Sequence, residues 1–166
     1  MKRRHGRLQR VVGSLIKRWR QQEPLYEQRV PSWDRRARSS AGETIEHAVL
    51  DIEYADDDGT RWIDVSVRHP AAGSDTEVRN AARRDGEASR RGERTKHERY
   101  PGQRLTPFVT ETPGRIGAEA RYWLLSQVRA LPEDTQAREL DHAYRAISCA
   151  IQSEVAKQLR RAAGLT

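Results

Sequence analysis

The feature that most constrains the fold is the stretch AVLDIEYADDDGTRWIDVSVRHP, residues 48–70. Two runs rich in β-branched and aromatic residues flank Asp58–Gly59, a dipeptide that strongly favours a tight turn between strands. The stretch therefore predicts an antiparallel β-hairpin. Each run is interrupted by an aspartate, Asp51 in the first and Asp64 in the second.

Alternation along the two strands predicts which side chains share a face of the hairpin. The apolar face would carry Leu50, Ile52, Tyr54, Ile63, Val65 and Val67, and the polar face Asp51, Glu53, Asp64 and Ser66. With Asp58–Gly59 as a two-residue loop, Glu53 would lie opposite Asp64, and Asp51 opposite Ser66. We therefore expect the acidic side chains to cluster on one face.

The rest of the chain predicts a single α/β domain of 166 residues, with a core from about 6 to 131. We expect a mixed sheet of about four strands with flanking helices. The patterns predict, in order, a helix over 6–20, a strand at LYEQRV, a polar loop at DRRARSSAGE, one helix over 75–100 with a small-residue face, a strand at LTPFVTET, a helix within PGRIGAEARYWLLSQVRAL and a helix over about 136–162.

Charge is spread unevenly along the chain, whose formal net charge is +7. Residues 1–40 contain 12 Lys+Arg and 3 acidic residues, whereas residues 41–64 contain 8 acidic residues and Arg61 alone. This pattern suits a protein that attracts a polyanion and brings a metal to it, although a solvated surface without a partner is the alternative. The residues expected to contact phosphates are Arg7, Arg10, Lys17, Arg18, Arg20 and Arg68.

Cysteine content and hydropathy argue against a disulfide-stabilised, cysteine-zinc or membrane-spanning protein. Cys149 is the only cysteine, which excludes a disulfide framework and a cysteine zinc site. No apolar run approaches the roughly 20 residues that a membrane span needs. We expect no membrane partner and an intracellular location, nuclear in a eukaryote.

Two facing carboxylates need compensation, because their repulsion costs of order 1 kcal/mol or less in solvent and more when buried. Mg²⁺, or Mn²⁺, would provide it, since one or two carboxylates commonly hold the ion and water and phosphates fill the remaining positions. Lys96 is the only lysine in the arginine-rich segment 75–100, and Tyr100 follows one turn later. A lysine can orient or deprotonate a water. The alternatives are a wet hairpin face and a solvated lysine.

Together, Asp51, a spacer of 12 residues, Asp64 within WIDVSV, and the later KHERY resemble the restriction-endonuclease-like nuclease domain of site-specific non-LTR retrotransposons. That domain belongs to the PD-(D/E)xK nucleases. The resemblance implies a restriction-endonuclease-like core, with Asp51 and Asp64 as metal ligands. It further implies Lys96 as a catalytic lysine moved from strand to helix, and Tyr100 as the accompanying aromatic. Glu53 is a candidate third carboxylate.

Two departures from the family pattern fall in the hairpin. Ser66 stands where the superfamily carries its strand lysine, and Leu50 replaces the proline that precedes the first aspartate. Activity would then depend on Lys96 alone for the ammonium group. The expected function is Mg²⁺-dependent hydrolysis of phosphodiesters in double-stranded DNA by a detached nicking domain. The alternative is a catalytically inactive DNA-binding relic of a mobile element.

Overall fold

The computed structural model describes residues 2–39 and 42–164. Within these residues the elements are α1 (Lys2–Arg20), β1 (Leu25–Arg29), a 3₁₀ turn (Pro31–Trp33), β2 (Arg35–Ser39), β3 (Gly42–Glu46), β4 (Val49–Asp56), β5 (Gly59–Arg68), α2 (Asp75–Arg83), α3 (Glu87–Arg99), β6 (Leu105–Glu111), α4 (Ala118–Arg129) and α5 (Glu133–Ala162). None of the described helices has the length and apolar character needed to cross a bilayer.

The main sheet has four strands in the order β1-β4-β5-β6. β4 pairs antiparallel with both β1 and β5, whereas β5 and β6 run parallel. The parallel pair is joined by α2 and α3, as a crossover connection requires. The predicted α/β class, with a mixed four-stranded sheet and flanking helices, is confirmed.

Helices cover both faces of the sheet. Ile63 and Val65 of β5 belong to the main core, which α1, α4 and α5 complete. The other face is covered by α3, whose buried residues are the small Ala88, Ser89 and Gly92 together with Glu93. A Cβ on Gly92 would lie 2.9 Å from a methyl carbon of Val109, so glycine permits this close approach. The prediction of a small-residue face is confirmed for α3 but not for α2, which buries none of its residues.

The hairpin forms as predicted, but its predicted register is wrong by two residues. Asp56 pairs with Gly59 and Ile52 with Ile63, so the turn residues are Asp57 and Asp58. A turn centred on Asp58–Gly59 would need positive φ at both residues, and only Gly59, at +112°, has it. The Asp56 side chain instead accepts a hydrogen bond from the backbone N–H of Asp58, 3.0 Å away. This bond favours a turn at Asp57–Asp58, one residue earlier than predicted.

Three further expectations are corrected. DRRARSSAGE is not a loop, because β2 and β3 form a separate two-stranded sheet on either side of residues 40–41. The predicted helix over 75–100 is two helices, because Gly86 takes a left-handed φ of +75° at the start of α3. Leu50 does not share a cluster with Ile52, but packs in a second, smaller cluster with Val30 and Leu105.

Candidate active site

The two hairpin aspartates come together where β4 and β5 leave their regular pairing. Continued by one step, the observed register places Asp51 opposite Asp64, and both side chains are buried. Asp51 Oδ2 accepts the backbone N–H of Val65 at 2.6 Å. The pKa of Asp51 is raised by burial, by the negative charge of Asp64 and by a hydrogen bond between the two carboxyl groups. The site therefore contains two acidic groups that resist simultaneous ionisation.

Lys96 approaches this pair from α3. Its Nζ lies 2.6 Å from Oδ2 of Asp64, and its side chain is only 21% exposed. Among the described residues, no donor makes a well-aligned hydrogen bond to that buried oxygen. Lys96 thus reaches the acidic pair, and its ammonium offsets part of the negative charge there.

The placement of Lys96 depends on how α3 is fixed to the sheet. Gly86 at the helix N-cap has no side chain to satisfy the first N–H groups. The side chain of Glu111, at the end of β6, provides the missing acceptor. It accepts a hydrogen bond from the backbone N–H of Ser89 at 2.9 Å. Ser89, Gly92 and Lys96 share one face of the helix. The cap and the glycine contact therefore direct Lys96 onto β5.

Two residues of α1 complete the surroundings of Asp51. His5 Nε2 lies 2.9 Å from Oδ1 of Asp51, and Gln9 donates to the Asp51 carbonyl at 2.7 Å. They lie one turn apart on the same helix face. Sequence reasoning missed both, because nothing in the local pattern around His5 indicates an acidic partner 46 positions away.

Tyr100 and Glu53 each contact a tryptophan beside the acidic pair. Tyr100 ends α3 and packs against Trp33, with ring centroids 5.6 Å apart. Burial and the negative charge of Asp64 raise the pKa of its phenol, which places it within electrostatic range of the acidic pair. Glu53 instead accepts the indole N–H of Trp62 at 3.1 Å. In the described part of the chain, no group of three or more His, Cys, Asp or Glu side chains is arranged to hold a metal.

Three of the six residues expected to contact phosphates have partners inside the protein. Lys17 pairs with Glu23 at 2.5 Å, Arg18 with Glu139 at 2.6 Å, and Arg20 donates to Gln127 at 2.5 Å. A fourth, Arg68, packs against α3 beside Gly92, and its Nε is buried without an acceptor. Phosphate contact by Lys17, Arg18 or Arg20 would compete with these internal partners.

Arg7 and Arg10 lie in a different setting. A groove of about 740 Å³ between α1, β1 and α5, named here the basic groove, is lined by Gly6, Gln9, Arg10, Tyr26, Glu27, Glu154, Lys157 and Arg161. Arg7 pairs loosely with Glu154 at 3.6 Å. Arg10 and Arg161 are exposed and have no ion-pair partner within the described residues. Gln9 joins this groove to Asp51 of the acidic pair.

Comparison with known proteins does not identify the chain. No family model matches it, and no curated protein matches it either. Function must therefore be inferred from the geometry of the site.

Proposed function

We propose that this chain is a metal-dependent endonuclease that nicks double-stranded DNA. The observation that carries the proposal is the buried pair Asp51 and Asp64 with the Lys96 ammonium 2.6 Å from Asp64. A structural ion pair needs one carboxylate, and a second one beside it raises the electrostatic free energy of the folded state. Such arrangements are found where chemistry requires them.

The donor set of the site fits Mg²⁺ or Mn²⁺. Asp51 and Asp64 offer carboxylate oxygens, which hard divalent cations prefer, and Oδ2 of Asp64 has no well-aligned hydrogen-bond donor. Two carboxylates are the number that commonly holds Mg²⁺ when phosphates and waters supply the rest. A bound ion would stabilise the charge that develops on the phosphodiester. Glu53, tied to Trp62, is not needed for this set.

Lys96 would orient the attacking water, and only its neutral amine form, after loss of the ammonium proton, could accept the proton of that water. A lysine can act as a base in that neutral form, whereas an arginine guanidinium stays protonated. His5 would lie beside the Asp51 carboxylate, with its Nε2 2.9 Å from Oδ1 but without a well-aligned hydrogen bond within the described residues. Tyr100, at the C-terminus of α3 one turn beyond Lys96, would be the aromatic side chain that accompanies the site.

The basic groove would receive the DNA backbone. Arg10 and Arg161 project from α1 and α5 without internal partners in the described chain, so they are free to contact phosphates. Such contacts release counterions and make binding depend on salt. The link through Gln9 would bring a bound strand close to Asp51. This surface replaces Lys17, Arg18 and Arg20 as the proposed site of phosphate contact.

A second candidate function is DNA binding without cleavage. The observation in its favour is that only two acidic ligands are grouped at the site among the described residues, and that Lys96 lies directly against one of them. Both candidates predict DNA binding. They differ in whether divalent ions produce nicks.

Replacement of Lys96 tests the proposal. The native protein should nick supercoiled plasmid with Mg²⁺ or Mn²⁺ and not with EDTA. Lys96→Ala should reduce the rate by about 10²- to 10⁴-fold, the usual range for a lost acid–base group, and leave DNA binding unchanged. Lys96→Arg should fail as well, because guanidinium keeps its proton.

Arg94→Ala is the matched control, because Arg94 is on the same helix but is 63% exposed and, within the described residues, pairs with Glu87 alone. It should nick at the native rate. If Lys96→Ala nicks as fast as the control, Lys96 has no role in cleavage. If the native protein binds DNA but never nicks it, the second candidate is correct.

A further inference from the structure

A second aromatic cluster lies beside the candidate active site and has no part in the proposed cleavage step. Trp33 packs edge-on against Trp62 with ring centroids 5.3 Å apart, and on its other side contacts Tyr100. Beneath them are the buried side chains of Leu50 and Leu105. The cluster is separate from the main core and adjoins Tyr100 of the site.

The two tryptophans are fixed in position with their polar atoms already satisfied. The indole N–H of Trp62 donates to Glu53 at 3.1 Å, and that of Trp33 donates to the Pro101 carbonyl at 3.0 Å. Both rings are only partly buried, whereas the core residues Trp19 and Trp123 are 9% and 4% exposed. Rigid, partly exposed rings that need no polar partner are suited to stacking with a flat ligand.

These rings line an open groove of about 600 Å³, named here the aromatic groove. Its walls are formed by Ser32, Trp33, Asp58, Arg61, Trp62, Pro101, Gly102, Gln103 and Arg104. Arg61 is held by Asp56 and Asp58, at 2.6 and 2.9 Å. Arg104 is exposed, and its side chain has no ion-pair partner in the described part of the chain. The groove thus combines aromatic faces with a free cation, which is how single-stranded nucleic acids are commonly held.

The position of the groove specifies which part of a DNA substrate it could hold. Trp62 precedes Asp64 by two residues on β5, so both side chains project from the same face, about 7 Å apart along the strand. Tyr100 contacts Trp33 of the groove, and the negative charge of Asp64 acts on its phenol. A base in the groove would therefore belong to a nucleotide close to the phosphate at the carboxylates.

We propose that the aromatic groove binds an unpaired DNA base next to the phosphate that is cleaved, by stacking on Trp33 and Trp62, with Arg104 contacting the backbone. This inference rests on the proposed nuclease function and adds a substrate class. The preferred DNA contains unpaired nucleotides, as at a melted or flapped junction. A paired base cannot enter, because its faces are already stacked within the duplex.

Binding of matched oligonucleotides in EDTA tests the inference without any cleavage. The probes are a short oligothymidine and an oligonucleotide of the same length in which every base is replaced by an abasic residue. Both carry the same phosphates. The native protein should bind the oligothymidine about tenfold more tightly, because stacking is worth ~1–3 kcal/mol per base and 1.4 kcal/mol corresponds to tenfold. Equal affinity for the two probes would overturn the inference.

Variants locate the effect. Trp33→Leu and the milder Trp62→Phe should weaken oligothymidine binding and leave abasic binding unchanged. Tyr122→Leu is the control, since Tyr122 is an exposed aromatic on α4, outside the groove. A uniform loss for both probes would mean that the rings only support the fold. If a variant does not fold, the comparison of probes on the native protein still decides. A native protein that prefers bases but never nicks would refute the nuclease and not the stacking site.

Discussion

Two buried carboxylates in this molecule each contact a basic side chain from a helix, yet their surroundings differ. Glu139 and Asp64 are both 5% exposed. Glu139 receives two hydrogen bonds from Arg18 and one from Trp19, and these hold its pKa down at about 2. Asp64 forms an ion pair with Lys96 but also faces Asp51, whose pKa is raised.

The difference separates a structural ion pair from a site prepared for a ligand. At Glu139 every acceptor has a donor, and the pair joins α1 to α5. At Asp64 the single ammonium of Lys96 is shared with a second carboxyl group whose pKa is raised, so ionisation of both acids would leave the local charge unbalanced. Proteins tolerate such imbalance mainly at functional sites, where a ligand relieves it.

The largest expected effect on stability comes from adding a divalent cation that binds the acidic pair. Mg²⁺ or Mn²⁺ at 100 times its dissociation constant should stabilise the native protein by about 2.7 kcal/mol. Asp64→Asn should lose this stabilisation, whereas Glu139→Gln should keep it. Thermal unfolding with and without the ion, at constant ionic strength, measures the effect. An equal shift in the Asp64 variant would remove the acidic pair as the binding site.

A somewhat smaller effect is expected when the structural pair is broken. Glu139→Ala leaves the indole N–H of Trp19 buried without an acceptor, which should cost about 2 kcal/mol. The midpoint of thermal unfolding should fall by roughly 4–8 °C for a chain of this size. Asp141→Ala on the same helix is the control, because Asp141 is exposed and its pair with Arg145 is worth little. Nicking below the unfolding temperature should persist in both variants.

The smallest expected effect is the change in folding stability at low pH. The pKa of Glu139 is lowered from 4.5 to about 2, so its ionised form stabilises the fold above the unfolded-state pKa. That contribution should decline as pH falls from about 4.5 toward 2. Glu139→Gln should therefore lose stability less steeply with acid than the native protein. Urea midpoints across this pH range provide the measurement, and identical slopes would contradict the assignment.

Much of the fold could be predicted from local patterns. The hairpin, β1, β6 and the helical segments follow from apolar periodicity and turn residues, which act over a few neighbours. The turn register could not be predicted, since it depends on the Asp56 side chain and on which residue adopts positive φ. β2 and β3 carry almost no apolar pattern. Arg35 fixes them by donating to the carbonyls of Glu98 and Arg99.

The candidate site was predictable where the hairpin defines it and not where distant segments enter. Alternation predicts that Asp51 and Asp64 share one face of the hairpin, although the predicted register placed Glu53, not Asp51, opposite Asp64. The contrast of one lysine among arginines draws attention to Lys96. His5 and Glu111 reach the site or its supporting helix from far along the chain. Likewise, charge counts cannot show that Arg18 is neutralised by a carboxylate 121 residues away.

The parallel pairing of β5 with β6 has a consequence for the order of folding. Asp51 and Asp64 lie on strands joined by a tight turn, and such hairpins form in about 1–10 μs. Lys96 arrives only with the crossover that brings β6 beside β5, a slower non-local event. An early hairpin would therefore hold two facing carboxylates with no ammonium between them. Lys96 therefore reduces the repulsion between the two carboxylates only once β6 has paired with β5. Completion of the sheet and assembly of the site would then occur in the same step.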